Sequence, residues 1–169
     1  MKHLFIFILI SGAIVLFAAG AFAQNKIIVL ARHAEKLPPV DTDLGDPALS
    51  PEGRERAARL TKAIEKYRFN EIFVTAYKRT GQTAELLAAM RHVQPETYES
   101  DHQPELVKKI MASKNKRFLI VGHSNSIPDL ANLLMKKEVF KQLADTEYGV
   151  YWVVRIKNGE PKKIEVYPY

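Results

Sequence analysis

The chain has 169 residues, 47% of them apolar, which is enough to build one domain core and argues against wholesale disorder. A formal net charge of +6 suits an anionic partner, yet the basic residues are scattered (Lys108, Lys109, Lys114, Lys116, Arg117, Lys136, Lys137, Lys162, Lys163) and form no nucleic-acid signature. The absence of cysteine excludes disulfides, thiolate catalysis and cysteine-based zinc sites.

Lys2 and His3 precede an apolar run from Leu4 to Phe17, and small residues follow, ending in Ala21, Phe22 and Ala23 before Gln24. That order reads as a secretory signal peptide over 1–23 and a mature domain over 24–169, with an uncleaved membrane anchor as the alternative. No cysteine follows the run, so a lipid-anchored bacterial lipoprotein is excluded. The expectation is an exported protein, periplasmic or extracellular, free of the membrane after cleavage.

Lys26 to Ala31 is a short, nearly continuous apolar run rich in β-branched residues, the pattern of a strand buried on both faces. A polar loop with Pro38, Pro39, Asp41, Asp43, Gly45 and Pro47 follows. Ser50 and Pro51 then signal a helix start, because a serine hydroxyl caps free amides and proline has none to lose there. This helix is expected to reach about Tyr67, burying Ala57, Leu60, Ala63 and Ile64. A second strand is expected over Glu71 to Thr75, then a helix of about twelve residues with Leu86, Leu87 and Met90 on its inner face. A brief strand (Glu96 to Ser100), a helix (Pro104 to Ser113), a buried strand (Arg117 to Val121) and a helix (Ile127 to Lys137) come next. The chain closes with alternating strands over Tyr148 to Lys157 and Lys163 to Tyr167, joined by the hairpin pair Asn158-Gly159. Strands alternating with helices predict an α/β fold: a three-layer α/β/α sandwich with a mostly parallel central sheet and a C-terminal β-hairpin.

Three segments place charged or imidazole groups directly after buried strands, where ligands of open α/β sheets collect. They are Leu30-Ala31-Arg32-His33-Ala34-Glu35-Lys36, then Val74-Thr75-Ala76-Tyr77-Lys78-Arg79-Thr80, continuing as Gly81-Gln82-Thr83-Ala84, and finally Val121-Gly122-His123-Ser124-Asn125-Ser126. Taken singly, each has a plain structural reading as a loop or surface segment; taken in order, they predict one pocket holding Arg32, His33, Arg79 and His123.

Together these segments resemble the histidine phosphatase superfamily. Arg32-His33 matches its Arg-His-Gly signature with Ala34 in the glycine position, and Arg79 with Thr83 and Ala84 matches its Arg-x-x-x-Thr-Ala pattern. Gly122-His123 matches the later Gly-His, and Leu49-Ser50-Pro51-Glu52-Gly53 matches the Leu-Ser/Thr-x-x-Gly helix entrance. The resemblance spans about Ile27 to Leu134. It implies a phosphoglycerate mutase-like fold and assigns His33 as the nucleophile, with Arg32, Arg79 and His123 binding phosphate and no cofactor or metal. The compact chain looks like the short bacterial phosphohistidine phosphatases rather than phytases, which carry a large extra helical domain.

The residue types suit that chemistry. A neutral imidazole attacks phosphorus and splits hydrolysis into two easier steps, while guanidiniums remain charged and offer forked donors to phosphate oxygens. A protonated His123 would add a further donor. The general acid is expected at Asp101, near the end of the brief third strand, with Glu99, Glu105 and Asp129 as contenders. Lys36 is placed to meet a substrate anion or to pair on the surface. The expected partner is a small phosphorylated substrate of open identity, and the oligomeric state is open. Two other classes fit parts of the pattern: a binding protein that kept the anion pocket without turnover, and a metallohydrolase using His33, Glu35 and His123. The two arginines count against the metal, because they would repel a dication.

Overall fold

Ile28 and Leu30 alternate with Val29 and Ala31 along β1 (Lys26–Arg32), and all four are fully buried, so this strand separates two apolar layers. The computed structural model describes residues 25–38 and 45–169; the expected signal peptide and part of the polar loop lie outside them. The remaining elements are α1 (Pro51–Ile64), β2 (Glu71–Val74), α2 (Lys78–Arg91), β3 (Glu96–Thr97), α3 (Gln103–Ala112), β4 (Arg117–Gly122), α4 (Ser126–Met135), β5 (Val150–Lys157) and β6 (Glu160–Pro168).

The strands form one sheet in the order β3-β2-β4-β1-β5-β6. The first four run parallel, and the closing hairpin is antiparallel, with β5 against the far side of β1. One face packs under α1 and α2, with Val29, Leu60, Ile64, Ile72, Leu87 and Val121 in contact. The other packs under α3 and α4, with Ile28, Phe73, Ile110, Phe118, Leu130 and Trp152. This is the expected three-layer α/β/α sandwich, with the parallel strands making up four of the six. Among the described residues no helix is long and apolar enough to cross a membrane.

Local signals place most boundaries. The Ser50 hydroxyl accepts from the Gly53 amide at 3.1 Å and Pro51 opens α1, as the sequence predicts. Asn158 and Gly159 both take positive φ (54° and 78°), the backbone that matches a tight hairpin to strand twist.

The inner face of α2 differs from expectation. Leu87 is buried, but Leu86 and Met90 are 47% and 49% exposed; the face against the sheet is Thr80, Thr83, Ala84, Leu87 and Ala88. Two threonine hydroxyls set the helix rotation. Thr83 accepts from the Ala34 amide at 3.0 Å, and Thr80 bonds to the carbonyl of Thr75 at 2.9 Å. Burying these polar ties leaves backbone groups satisfied, and their geometry outweighs the apolar area of Leu86 and Met90. β5 also starts at Val150 rather than Tyr148, because Gly149 takes φ +80° and breaks the strand.

Candidate active site

The carboxyl ends of β1, β2 and β4 lie side by side, with Arg32 opposite Gly122 and Val74 opposite Val121. The three sequence segments therefore emerge at one edge of the sheet. They meet in a cleft of about 350 Å³ whose lining includes Arg32, His33, Arg79, His123, Lys36 and Tyr77. The four residues singled out for phosphate chemistry share this cleft. Asp101 is not among the lining residues, although its neighbour Ser100 is. Asp129 lines a different groove behind α4, and Glu99 and Glu105 line another beside β3 and α3. A larger groove of about 720 Å³ runs beside α2 past Lys78, Glu85 and His92, but it gathers no guanidinium. The chemistry belongs to the smaller cleft, where an imidazole pair and two guanidiniums converge.

His33 is 5% exposed and fixed by two backbone ties. Its amide donates to the Gly122 carbonyl at 2.9 Å, joining β1 to β4. Its Nδ1 lies 2.7 Å from the carbonyl of Ala34. A carbonyl only accepts, so Nδ1 carries the hydrogen and Nε2 keeps its lone pair. Ala34 is fully buried and is not among the residues of positive φ, so alanine meets no backbone strain where the family signature has glycine.

The second imidazole sits 5.3 Å from the first, centroid to centroid. Its Nε2 lies 2.9 Å from the Thr75 hydroxyl, which lies 3.1 Å from the Thr80 hydroxyl. Thr80 has carbonyl acceptors at 2.9 Å (Thr75) and 2.8 Å (Tyr77) for its single proton. The set is satisfied when His123 Nε2–H donates to Thr75, Thr75 to Thr80, and Thr80 to a carbonyl. Thr75 and Thr80 lie in the second sequence segment, which assigned a role to Arg79 and none to them; their only signal was a hydroxyl group at or soon after the end of a strand.

The arginines are presented differently. Arg79 stands in the first turn of α2 with its guanidinium 4.1 Å from the Tyr77 ring centre and 3.7 Å from Asp46. Its buried Nε and Nη1 have no hydrogen-bond acceptor among the described residues. Arg32 packs 4.1 Å from the centre of the Tyr148 ring, and its Nη1 donates to the carbonyls of Ala144 and Glu147, both at 2.8 Å. Glu35 lies apart from the imidazoles in its bonding, because Arg56 holds its carboxylate with Nε at 2.6 Å. Among the described residues no cluster of three or more His, Cys, Asp or Glu side chains is placed to hold a metal ion.

Burial, assisted by His123, Arg79 and Arg32 against the opposing Ala34 hydrogen bond, pushes His33 down to about 3. Burial, then Arg79 and Arg32, pushes His123 down to about 4. Both rings are neutral near pH 7, so the positive charge of the cleft comes from Arg32, Arg79 and Lys36 and not from the protonated His123 that the sequence led us to expect. Folding with neutral imidazoles has a measurable cost in acid. Between pH 6.5 and about 4 the unfolded chain binds protons that the folded chain refuses, so stability falls as pH falls. Each histidine contributes a slope of up to about 1.4 kcal/mol per pH unit. Thermal melts from pH 7 to 4 are expected to show a shallower decline for His33→Asn than for the wild type; parallel curves would show that His33 protonates freely in the fold.

The sequence model of the histidine phosphatase superfamily (branch 1) matches residues 28–100, the stretch that contains Arg32, His33, the α1 entrance and Arg79. Over this stretch, less than half of the chain, the sequence resembles the histidine phosphatase superfamily. No curated protein matches the chain significantly in sequence. Solved structures match its fold. The protein histidine phosphatase SixA in complex with tungstate is 11% identical, with a TM-score of 0.69 over 84% of this chain and 96% of the other. A mycobacterial glucosyl-3-phosphoglycerate phosphatase is 14% identical, with a TM-score of 0.66 over 86% and 99%. A Nakamurella multipartitia protein assigned as a phosphohistidine phosphatase SixA is 18% identical, with a TM-score of 0.60 over 86% and 97%. At these identities the likeness carries the fold. Site residues in this chain are therefore read from its own geometry.

Proposed function

We propose that the protein is an exported, metal-independent phosphatase that hydrolyses phosphomonoesters or phosphoramidates through a phosphohistidine on His33. The observation that carries this reading is the free Nε2 of a neutral, buried His33 in a cleft shared with two guanidiniums. An in-line attack needs an unprotonated nitrogen, and the transferred group needs charge on its equatorial oxygens. Arg79, with buried donors that have no acceptor among the described residues, supplies that charge directly, and Arg32 adds to it in the same cleft. His123 accepts or shares a proton with the bound oxygens through the nitrogen that Thr75 leaves open. Similar folds occur in a phosphatase solved with inorganic phosphate and in one solved with tungstate, which supports a phosphate-sized occupant.

Export rests on the order of Lys2, the apolar run and the Ala-x-Ala site before Gln24. The test uses the chain expressed with its own N-terminus. Intact mass of protein recovered outside the cytoplasm is expected to begin at Gln24. That protein is expected to release phosphate from an aryl phosphate in excess chelator, and quenching is expected to trap an acid-labile, alkali-stable phosphoenzyme. Tight phosphate binding with no turnover on a broad substrate panel would replace this reading by that of a binding protein. Stoichiometric metal with chelator-sensitive turnover would replace it by a metallohydrolase.

A further inference from the structure

Cleavage of an unactivated phosphate ester needs a proton for the departing oxygen, and the two imidazoles of the cleft are poor sources, both being neutral near pH 7. The carboxylates nearby are mostly committed. Asp46 accepts from the Lys78 amide at 2.9 Å and faces Arg79, Glu35 is held by Arg56, and Glu147 accepts from the Ala144 amide at 2.5 Å. Asp101 and Asp129 do not line the cleft. Asp145 does, as the one carboxylate among the described residues that line it.

The position of Asp145 is built. Glu147 N donates to Ala144 O at 3.0 Å, closing a four-residue turn with Asp145 and Thr146 at its two central positions. Both ends of this turn are gripped by the same guanidinium, Arg32, through the carbonyls of Ala144 and Glu147. Just upstream, the Leu143 amide donates to the Ser124 carbonyl at 3.0 Å, tying the turn to the loop that carries His123. Topology explains how a segment far along the chain arrives here. β5 runs antiparallel to β1 with Tyr151 opposite Ala31, so residues just before β5 stand at the carboxyl end of β1, beside His33.

Building on the phosphatase reading, we propose that Asp145 is the general acid and base of the reaction, held over the cleft by Arg32. In the first step the His33 Nε2–P bond forms as the P–O bond to the leaving group breaks, and the Asp145 carboxylic acid gives its proton to the departing oxygen. In the second, the Asp145 carboxylate takes a proton from water as that water's oxygen bonds to phosphorus and the N–P bond breaks. The acid is thereby regenerated, with phosphate and free imidazole as products.

The experiment compares Asp145→Asn, Asp145→Glu and wild type on glycerol phosphate, whose leaving group needs a proton, and on 2,4-dinitrophenyl phosphate, whose leaving group does not. In Asp145→Asn, kcat/KM for glycerol phosphate is expected to fall by about 100-fold or more while that for the dinitrophenyl ester stays within about threefold. The same variant is expected to release a burst of dinitrophenol and to accumulate phosphoenzyme, because water attack has lost its base. Asp145→Glu is expected to recover part of the glycerol phosphate activity. Equal losses on both esters, or no loss on glycerol phosphate, would overturn the assignment. Wild-type enzyme that forms no phosphoenzyme from either ester would instead overturn the phosphatase reading on which it rests.

Discussion

Replacing His33 with alanine is expected to abolish phosphoenzyme formation and to lower aryl phosphate turnover by on the order of 10⁴-fold or more, while leaving phosphate or tungstate binding within a few-fold of wild type. The two effects separate because two different groups carry them. His33 is neutral in the fold, so its removal takes away a nucleophile and no charge. Arg79 keeps buried donors that have no acceptor among the described residues, and Arg32 stays fixed by the turn at Ala144 and Glu147. Calorimetry with tungstate beside a stopped assay reads both. Turnover that survives the substitution would refute His33 as nucleophile. Loss of oxyanion binding together with turnover would mean that the imidazole positions the guanidiniums.

The largest effect on stability is expected at Gly53. This residue is buried in the first turn of α1, where a methyl group would drive into the carbonyl oxygen of Glu35 and lie 3.0 Å from its carbon. The obstacle is backbone, and that same carbonyl accepts from the Ser50 amide at 2.9 Å, so it has little room to yield. Helix propensity favours alanine by about 1 kcal/mol. Overlap with fixed backbone costs about 3 kcal/mol. Gly53→Ala is thus expected to lose roughly 2 kcal/mol and to lower Tm by about 4–8 °C. Turnover is expected to drop as well, since Glu35 lies two residues from His33 on the same loop. Gly81→Ala in α2 is the matched control. An added methyl there meets nothing within 4 Å, so the propensity gain of about 1 kcal/mol is expected to appear as a higher Tm. If both variants moved Tm in the same direction, close packing of α1 on the nucleophile loop would not be what Gly53 provides.

Much of the architecture was legible because the deciding physics is local. Continuous apolar runs over Lys26 to Ala31 and Arg117 to Val121 marked strands covered on both faces, and Ser50-Pro51 and Asn158-Gly159 carry their caps and turns in adjacent residues. Arg32, His33, Arg79 and His123 were legible because each directly follows or nearly follows a strand that ends at the same sheet edge. The rotation of α2 was not, because bulk pointed to Leu86 and Met90 while hydroxyl ties from Thr80 and Thr83 decide it. Asp145 and Tyr148 were not legible for a different reason. They reach the cleft from the amino end of a strand, and only the antiparallel placement of β5 beside β1 brings that end to the site. A sequence reader who looks for chemistry only after strands passes over such a segment.

The central place of β1 also governs when the catalytic cleft can come into being. Its neighbours, β4 and β5, begin at residues 117 and 150, so both flanks of the earliest strand wait for the last third of the chain. A nascent polypeptide that ends before β4 holds His33 after β1 and Arg79 after β2 with no strand between the two, and it lacks His123 and the Arg32-bound turn altogether. Such a topology folds through long loop closures and assembles its chemistry late. A chain cut short before β4 therefore carries separate fragments of the site and no complete anion cleft.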